Sequence, residues 1–224
     1  MRADWTEVTS EARLDELVGE MHPYVAGKVQ PKLDEMAIEW LAASPFALLA
    51  TSDPEGRIDV SPRGDPEGFA LVLDETTIAI PDRSGNKRVD GFRNILRNPR
   101  VGTLFIVPGR GDTLRVNGRG TVVEEAPFFD EMIVNGHRPD LALVIDVEEV
   151  FFHCPKAFLR AKLWDPSAWR PDERRSRRAL TKQAASALES VNARTPDSQE
   201  VGQDEPLVRY LDPTDYTPWL YDKY

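Results

Sequence analysis

The sequence predicts a mostly β protein with flanking helices, an antiparallel barrel or sandwich. Three observations predict it. Between residues 46 and 124 short apolar or alternating runs recur at close intervals: FALLATS, RIDVSP, FALVL, TTIAI, RVGTLFIV and TLRVNGRGTVVE. The joints between them carry turn chemistry, DPEG, RGDPEG and PGRGD, in which Pro presets φ and Gly accepts a positive one. Helical spacing is left to the two ends and to short connections. Many short strands with tight turns mark an antiparallel all-β fold.

Taken in order, residues 1–43 are helical. Thr9 or Ser10 is placed to cap a helix running to about Gly19, with Leu14, Leu17 and Val18 on one face. A second helix over residues 32–43 sets Leu33, Met36, Ala37, Trp40 and Leu41 at helical spacing, and Ser44-Pro45 ends it. After four strands, residues 77–100 run from strand through Pro81 and a turn of Gly, Ser and Asn into a helix ending near Asn98-Pro99. Strands follow at 100–107 and 113–124, where Gly118 and Gly120 mark a bulge or bend. Residues 126–132 form a short helix, and 141–154 a strand pair or one long bent strand. Residues 155–163 form a short helix presenting Lys156, Arg160 and Lys162. From Pro171 the composition shifts to a charged helix, a polar linker and a tail carrying Tyr216, Trp219, Tyr221 and Tyr224. So aromatic a tail is expected to dock on the barrel or on a partner subunit. The predicted organisation is N-terminal helices packing on the barrel (1–43), the barrel (44–170), and the C-terminal helix and tail (171–224).

The 224 residues are 41% hydrophobic and 29% charged, ordinary for a globular chain. The net charge of −10 argues against a general nucleic-acid surface. No run approaches the roughly 20 apolar residues of a membrane span. The N-terminus lacks the apolar stretch of a secretory signal. Cys154 is the single cysteine, so no internal disulfide forms, and a reducing cytoplasm is the simplest home.

Chemistry concentrates in residues 77–100. Arg83, Lys87, Arg88, Arg93 and Arg97 form a basic strand–turn–helix junction in an acidic chain. Such a junction fits one small anion, best a phosphate monoester, and equally fits a solvated helix start. Val60-Ser61-Pro62-Arg63-Gly64 puts a cation at a strand end, where a surface turn is the simpler account. Thr113, Arg115 and Asn117 alternate along one strand and share a face, as on any half-exposed sheet. His153 and Cys154 are too few for a structural zinc site, which needs four ligands, and no metal set is expected. His153 remains a ligand contact or proton donor. The acid pairs Glu124-Glu125 and Glu148-Glu149 look like solvated strand ends. No catalytic triad, Walker loop or Rossmann fingerprint is present.

The blocks FALLATSDPEG, VSPRGDPEGF, IPDRSGNKRVDGFRNILRNPRVGTLF, PGRGDTLRVNGRG and FHCPKAFLRAKLWDP, in that order, resemble the pyridoxamine 5'-phosphate oxidase-like family of FMN-binding split-barrel flavoproteins. The likeness is greatest to a subgroup of FMN-dependent enzymes without an assigned substrate. The resemblance implies a six-stranded antiparallel Greek-key split β-barrel. It also implies a homodimer with FMN in clefts between subunits, serving a small-molecule substrate or electron donor. It places Val60, Ser61, Pro62 and Arg63 on the strand along the flavin. It sets Ile80 and Pro81 on the next strand, whose backbone borders the cofactor, followed by Asp82 and Arg83. Lys87 and Arg88 match the pair that binds the FMN phosphate, and Asn86 stands where the oxidase has Ser. Thr113 falls where the oxidase places a Gln from the second subunit. Arg63 and Arg115 are candidates for the basic group beside the flavin ring. The C-terminal Arg-Leu-Ala-Pro-type segment of the true oxidases is absent, which puts vitamin B6 oxidation in question. The alternatives are a non-catalytic flavin-binding, storage or sensor protein, and a split barrel that binds haem or F420, for which His153 keeps haem open.

Overall fold

The computed structural model describes residues 5–22, 25, 27–83, 85 and 87–169. Asn86 and residues 171–224, with the expected C-terminal helix and aromatic tail, lie outside the described residues. Two compact units are distinguished: Met1–Met132 with Pro139–Trp164, and Ile133–Arg138 with Asp165–Tyr224. In the second, Val134 and His137 exchange backbone hydrogen bonds, and Asp165 caps a 3₁₀ turn at Pro166–Ala168.

The first unit holds helices α1 (Glu11–Val18), α2 (Glu35–Ala43), α3 (Asp90–Ile95) and α4 (Lys156–Ala161), and a 3₁₀ segment at Pro127–Met132. Its strands are β1 (Phe46–Ser52), β2 (Ile58–Gly64), β3 (Leu71–Asp74), β4 (Thr77–Pro81), β5 (Arg100–Ile106), β6 (Thr113–Val123) and β7 (Ala142–His153). They form one antiparallel sheet in the order β2-β1-β5-β6-β7-β4-β3. The mostly β class stands. The strand count is seven rather than six, because the four-residue β3 pairs with β4 at one edge. Residues 141–154 form one long strand rather than a pair.

Local chemistry explains the element ends. Ser10 Oγ accepts from Arg13 N–H and starts α1. Helix α2 starts at Glu35, three residues later than the spacing predicts. Leu33 N–H instead donates to Glu75 carbonyl at 2.8 Å, and Asp34 accepts from Ala37 N–H. In the turn before β2, the Asp53 carboxylate accepts from Glu55 N–H, Arg57 N–H and Arg57 Nε.

β1 alternates covered and part-covered residues, sending Ala47, Leu49 and Thr51 inward. Phe105, Leu114, Val116, Ile78, Ile80, Leu143 and Ile145 meet them, and α2 closes the cluster with Ala37, Trp40 and Leu41. Phe129 and Met132 of the 3₁₀ segment bury a second cluster against Ala79 and Ala142, so β4 and the start of β7 are covered on both faces. Of the two N-terminal helices, α2 gives its face to this core, whereas α1 buries no side chain. Among the described residues no helix is long and apolar enough to cross a membrane.

One irregularity reorganises the long hairpin. The β6–β7 register shifts between Asn117, opposite Glu149, and Gly118, opposite Val147. Glu148 is the extra residue of a bulge. The inward set on β7 is Leu143, Ile145 and Val147 before it and Val150 after it. Glu148 and Glu149 therefore sit in mid-strand, not at a solvated end. They pair with Arg100 and Arg115 respectively.

Candidate functional site

Register divides the predicted site residues between the two faces of the sheet. Arg63, Ala47, Phe105, Leu114 and Phe152 form one row across five strands. The next row is Pro62, Leu48, Leu104, Arg115 and Phe151. Neighbouring rows point to opposite faces. The first faces the core, where Phe105 and Leu114 are fully buried, and the second faces away. Along β2, Asp59, Ser61 and Arg63 lie on the covered side, while Ile58, Val60 and Pro62 are exposed on the other.

On the covered side Arg63 reaches the rim of the core. Its guanidinium lies 5.3 Å from the Phe92 ring centroid and 3.7 Å from Asp82. Burial pushes the Asp82 carboxyl above the ordinary carboxylate range; Arg63 opposes this, Asp140 adds to it and Arg83 opposes it again. Ile80 buries its side chain in the core, and Pro81 is buried too. Pairing of β4 with β3 ends at Ala79, so any contact from Ile80 and Pro81 would come from the backbone edge beyond it. Arg83 is already engaged. Its Nε meets Asp65 at 2.5 Å and its Nη2 donates to Met132 carbonyl at 2.7 Å, all largely covered. It fastens the loops after β2 and β4 to the 3₁₀ segment.

The phosphate candidates stand just beyond. Arg88 is exposed and pairs with Asp90. Lys87 is exposed and has no ion pair among the described residues. Its φ of 59° is a left-handed conformation costing a non-glycine residue about 1 kcal/mol. Helix α3 has six residues, not the longer helix expected, so its dipole is slight. Arg93 and Arg97 lie on α3 or just past it, and Arg97 bonds Arg93 carbonyl and Asn94 Oδ1.

On the outer face Arg115 stacks on Phe151 at 4.0 Å and pairs with Glu149, which also accepts from Asn117. The Nε of Arg115 is buried without a hydrogen-bond partner among the described residues. Thr113, opposite His153, is 3% exposed. The His153 ring lies 4.5 Å from Phe151. Burial first and Arg115 second hold its imidazole below the ordinary histidine value. The unfolded chain therefore protonates at a higher pH than the folded one. The stability this contributes is present above about pH 6.5 and is lost as pH falls through the folded value. His153→Gln is expected to flatten that acid-side decline in urea melts at stepped pH; an unaltered slope would contradict the account.

Sequence reasoning missed Phe92 under Arg63, Phe151 under Arg115, and the acids Asp65 and Glu149. For Glu149 a signal existed: the glycines that marked a bulge imply a phase change in the facing strand.

A mostly β, antiparallel sheet with few helices matches the split-barrel fold. The chain belongs to the pyridoxamine 5'-phosphate oxidase family, whose model matches residues 33–154. No curated protein matches it. Among solved structures it is similar to HupZ of Group A Streptococcus, at 18% identity over 54% of this chain and 93% of that one, TM-score 0.43. It is also similar to a Clostridium acetobutylicum protein related to general stress protein 26, at 14% over 54% and 90%, TM-score 0.40. A third is HutZ, the haem storage protein of Vibrio cholerae, at 19% over 54% and 94%, TM-score 0.38.

Proposed function

We propose that the chain is an FMN-dependent oxidoreductase acting on a small-molecule substrate or electron donor, working as a homodimer whose cofactor sites each draw on both chains. The observation that carries this is the division of the candidate residues across one sheet. Ser61, Arg63, Asp82, Lys87 and Arg88 belong to the α3 side; Thr113, Arg115 and His153 belong to the outer face. A second copy laid on the outer face would bring the two sets to one ligand. That face is apolar where it would be covered: Ile58 and Val60 are 71% and 62% exposed, beside Leu48 and Leu104.

The donor set fits FMN. A phosphate calls for Lys and Arg, met by Lys87 and Arg88, and the Nε of Arg115 is a donor without an acceptor among the described residues. Flavin, when bound, supplies the redox chemistry; the protein holds and tunes it. Arg63 suits the place beside the ring better than Arg115. Glu149 neutralises Arg115 at close contact, whereas Asp82 stands off from Arg63 and is pushed toward its neutral form.

The purified protein should be yellow, sediment as a dimer, and turn over with NADH or NADPH and an acceptor. A colourless protein that takes up no added FMN would end this reading. Bound flavin without turnover favours a storage or sensor module. A haem spectrum would favour the haem reading, for which a neutral His153 is the fitting ligand. A deazaflavin spectrum would favour F420.

A further inference from the structure

A cavity of about 720 Å³ lies between α2, the β5–β6 turn and the end of β7, outside the residues assigned to the flavin. Its volume is that of a small-molecule pocket. Trp40, Phe151 and Phe152 are the aromatic part of a lining that is otherwise mixed polar and apolar. Trp40 donates to Phe105 carbonyl and meets Phe152 edge-on at 5.4 Å. Gln30 and Val150 close another side with paired backbone bonds of 2.9 and 2.8 Å. Over the indole, 5.5 Å from its centroid, lies the Arg110 guanidinium. Arg110 makes no ion pair among the described residues. Its turn is fixed all the same: its N–H donates to Val107 carbonyl at 3.0 Å, and its carbonyl accepts from Trp164 Nε1 at 2.6 Å. An exposed guanidinium over an indole, with no ion pair among the described residues, can take a carboxylate on a flat apolar body.

Charge narrows the class further. Lys28 and Arg110 share the wall with Asp34, Glu39 and Asp112. Three carboxylates against two cations leave the wall net negative, so an anion is favoured only locally, at Arg110, and a dianionic phosphate is opposed more strongly than a monocarboxylate. We infer that this cavity binds a flat aromatic monocarboxylate, its carboxylate on Arg110 and its ring against Trp40 and Phe152. Asp112 and Phe151, which also line it, adjoin Thr113 and Arg115, so the ligand would lie beside the outer-face half of the flavin site. Its standing as a substrate rests on the flavin reading; its binding does not.

Phenylacetate is titrated calorimetrically into the full chain, with and without added FMN. Saturable binding is expected in both. Arg110→Gln, on an exposed turn whose backbone bonds remain, should weaken it about tenfold or more, and Arg93→Gln should leave it unchanged. Phenyl phosphate should bind more weakly than phenylacetate. No saturable heat, an affinity indifferent to Arg110→Gln, or a preference for phenyl phosphate overturns the inference. Binding of phenylacetate by a chain that takes up no FMN would keep this pocket and remove the flavin reading.

Discussion

Replacing Lys87 and Arg88 together by alanine is expected to weaken FMN binding by about a hundredfold. A charge-assisted hydrogen bond contributes roughly 1.5–3 kcal/mol, or about one to two powers of ten. Two full contacts would give more, but they are not equal. Arg88 would have to leave Asp90 to reach a phosphate, so its net gain would be reduced, while Lys87 has no pair to give up among the described residues. Lys87→Ala alone should therefore account for most of the loss. Lys87→Gly separates the two properties of that position. It relieves a φ of 59° and should steady the fold by up to about 1 kcal/mol while still losing flavin. Fluorescence titration of FMN and urea melts on the same variants check both. Equal flavin affinity in the double variant and the unaltered chain would remove the phosphate assignment.

Gly118→Ala is expected to be the most damaging small substitution in the sheet, costing about 3 kcal/mol or more. A Cβ at Gly118 would stand 2.0 Å from the Asp146 carbonyl oxygen and 2.9 Å from its carbon. Those are backbone atoms of the neighbouring strand, and they yield only if the ladder yields. Gly120 is the control. There a Cβ meets Leu143 Cδ1 at 2.9 Å and Val101 Cγ1 at 3.0 Å, side-chain atoms that can turn aside. Gly120→Ala should cost clearly less in the same urea titration. A reversed order would mean that the bulge at Gly118 is not what sets the register.

The comparison of these glycines shows where sequence reasoning reaches. Both were visible as marks of a bulge, and FALLATS was visible as a strand because alternation is a local signal. The pairing of Arg83 with Asp65, or of Arg115 with Glu149, was not. Those partners are 18 and 34 residues apart, and only the folded register brings them together. The same limit applies to the site. The cations were found from composition, but the face each one takes depends on strand phase. In β2 that phase separates Ser61 and Arg63 from Val60 and Pro62, although all four had been grouped on one ligand. Asp82, expected beside the cofactor with Ile80, Pro81 and Arg83, is a part-buried carboxyl between Arg63 and Arg83.

For the proposed dimer, the split of Arg63 and Arg115 across the sheet has a genetic consequence. In a dimer with its sites built between chains, a lesion on one face and a lesion on the other damage different halves of the same site. A chain altered at Lys87 and a chain altered at Arg115 would each be defective when paired with itself. Mixed in one cell they would complement, since a hybrid dimer keeps one site made wholly of intact halves and concentrates both lesions in the other.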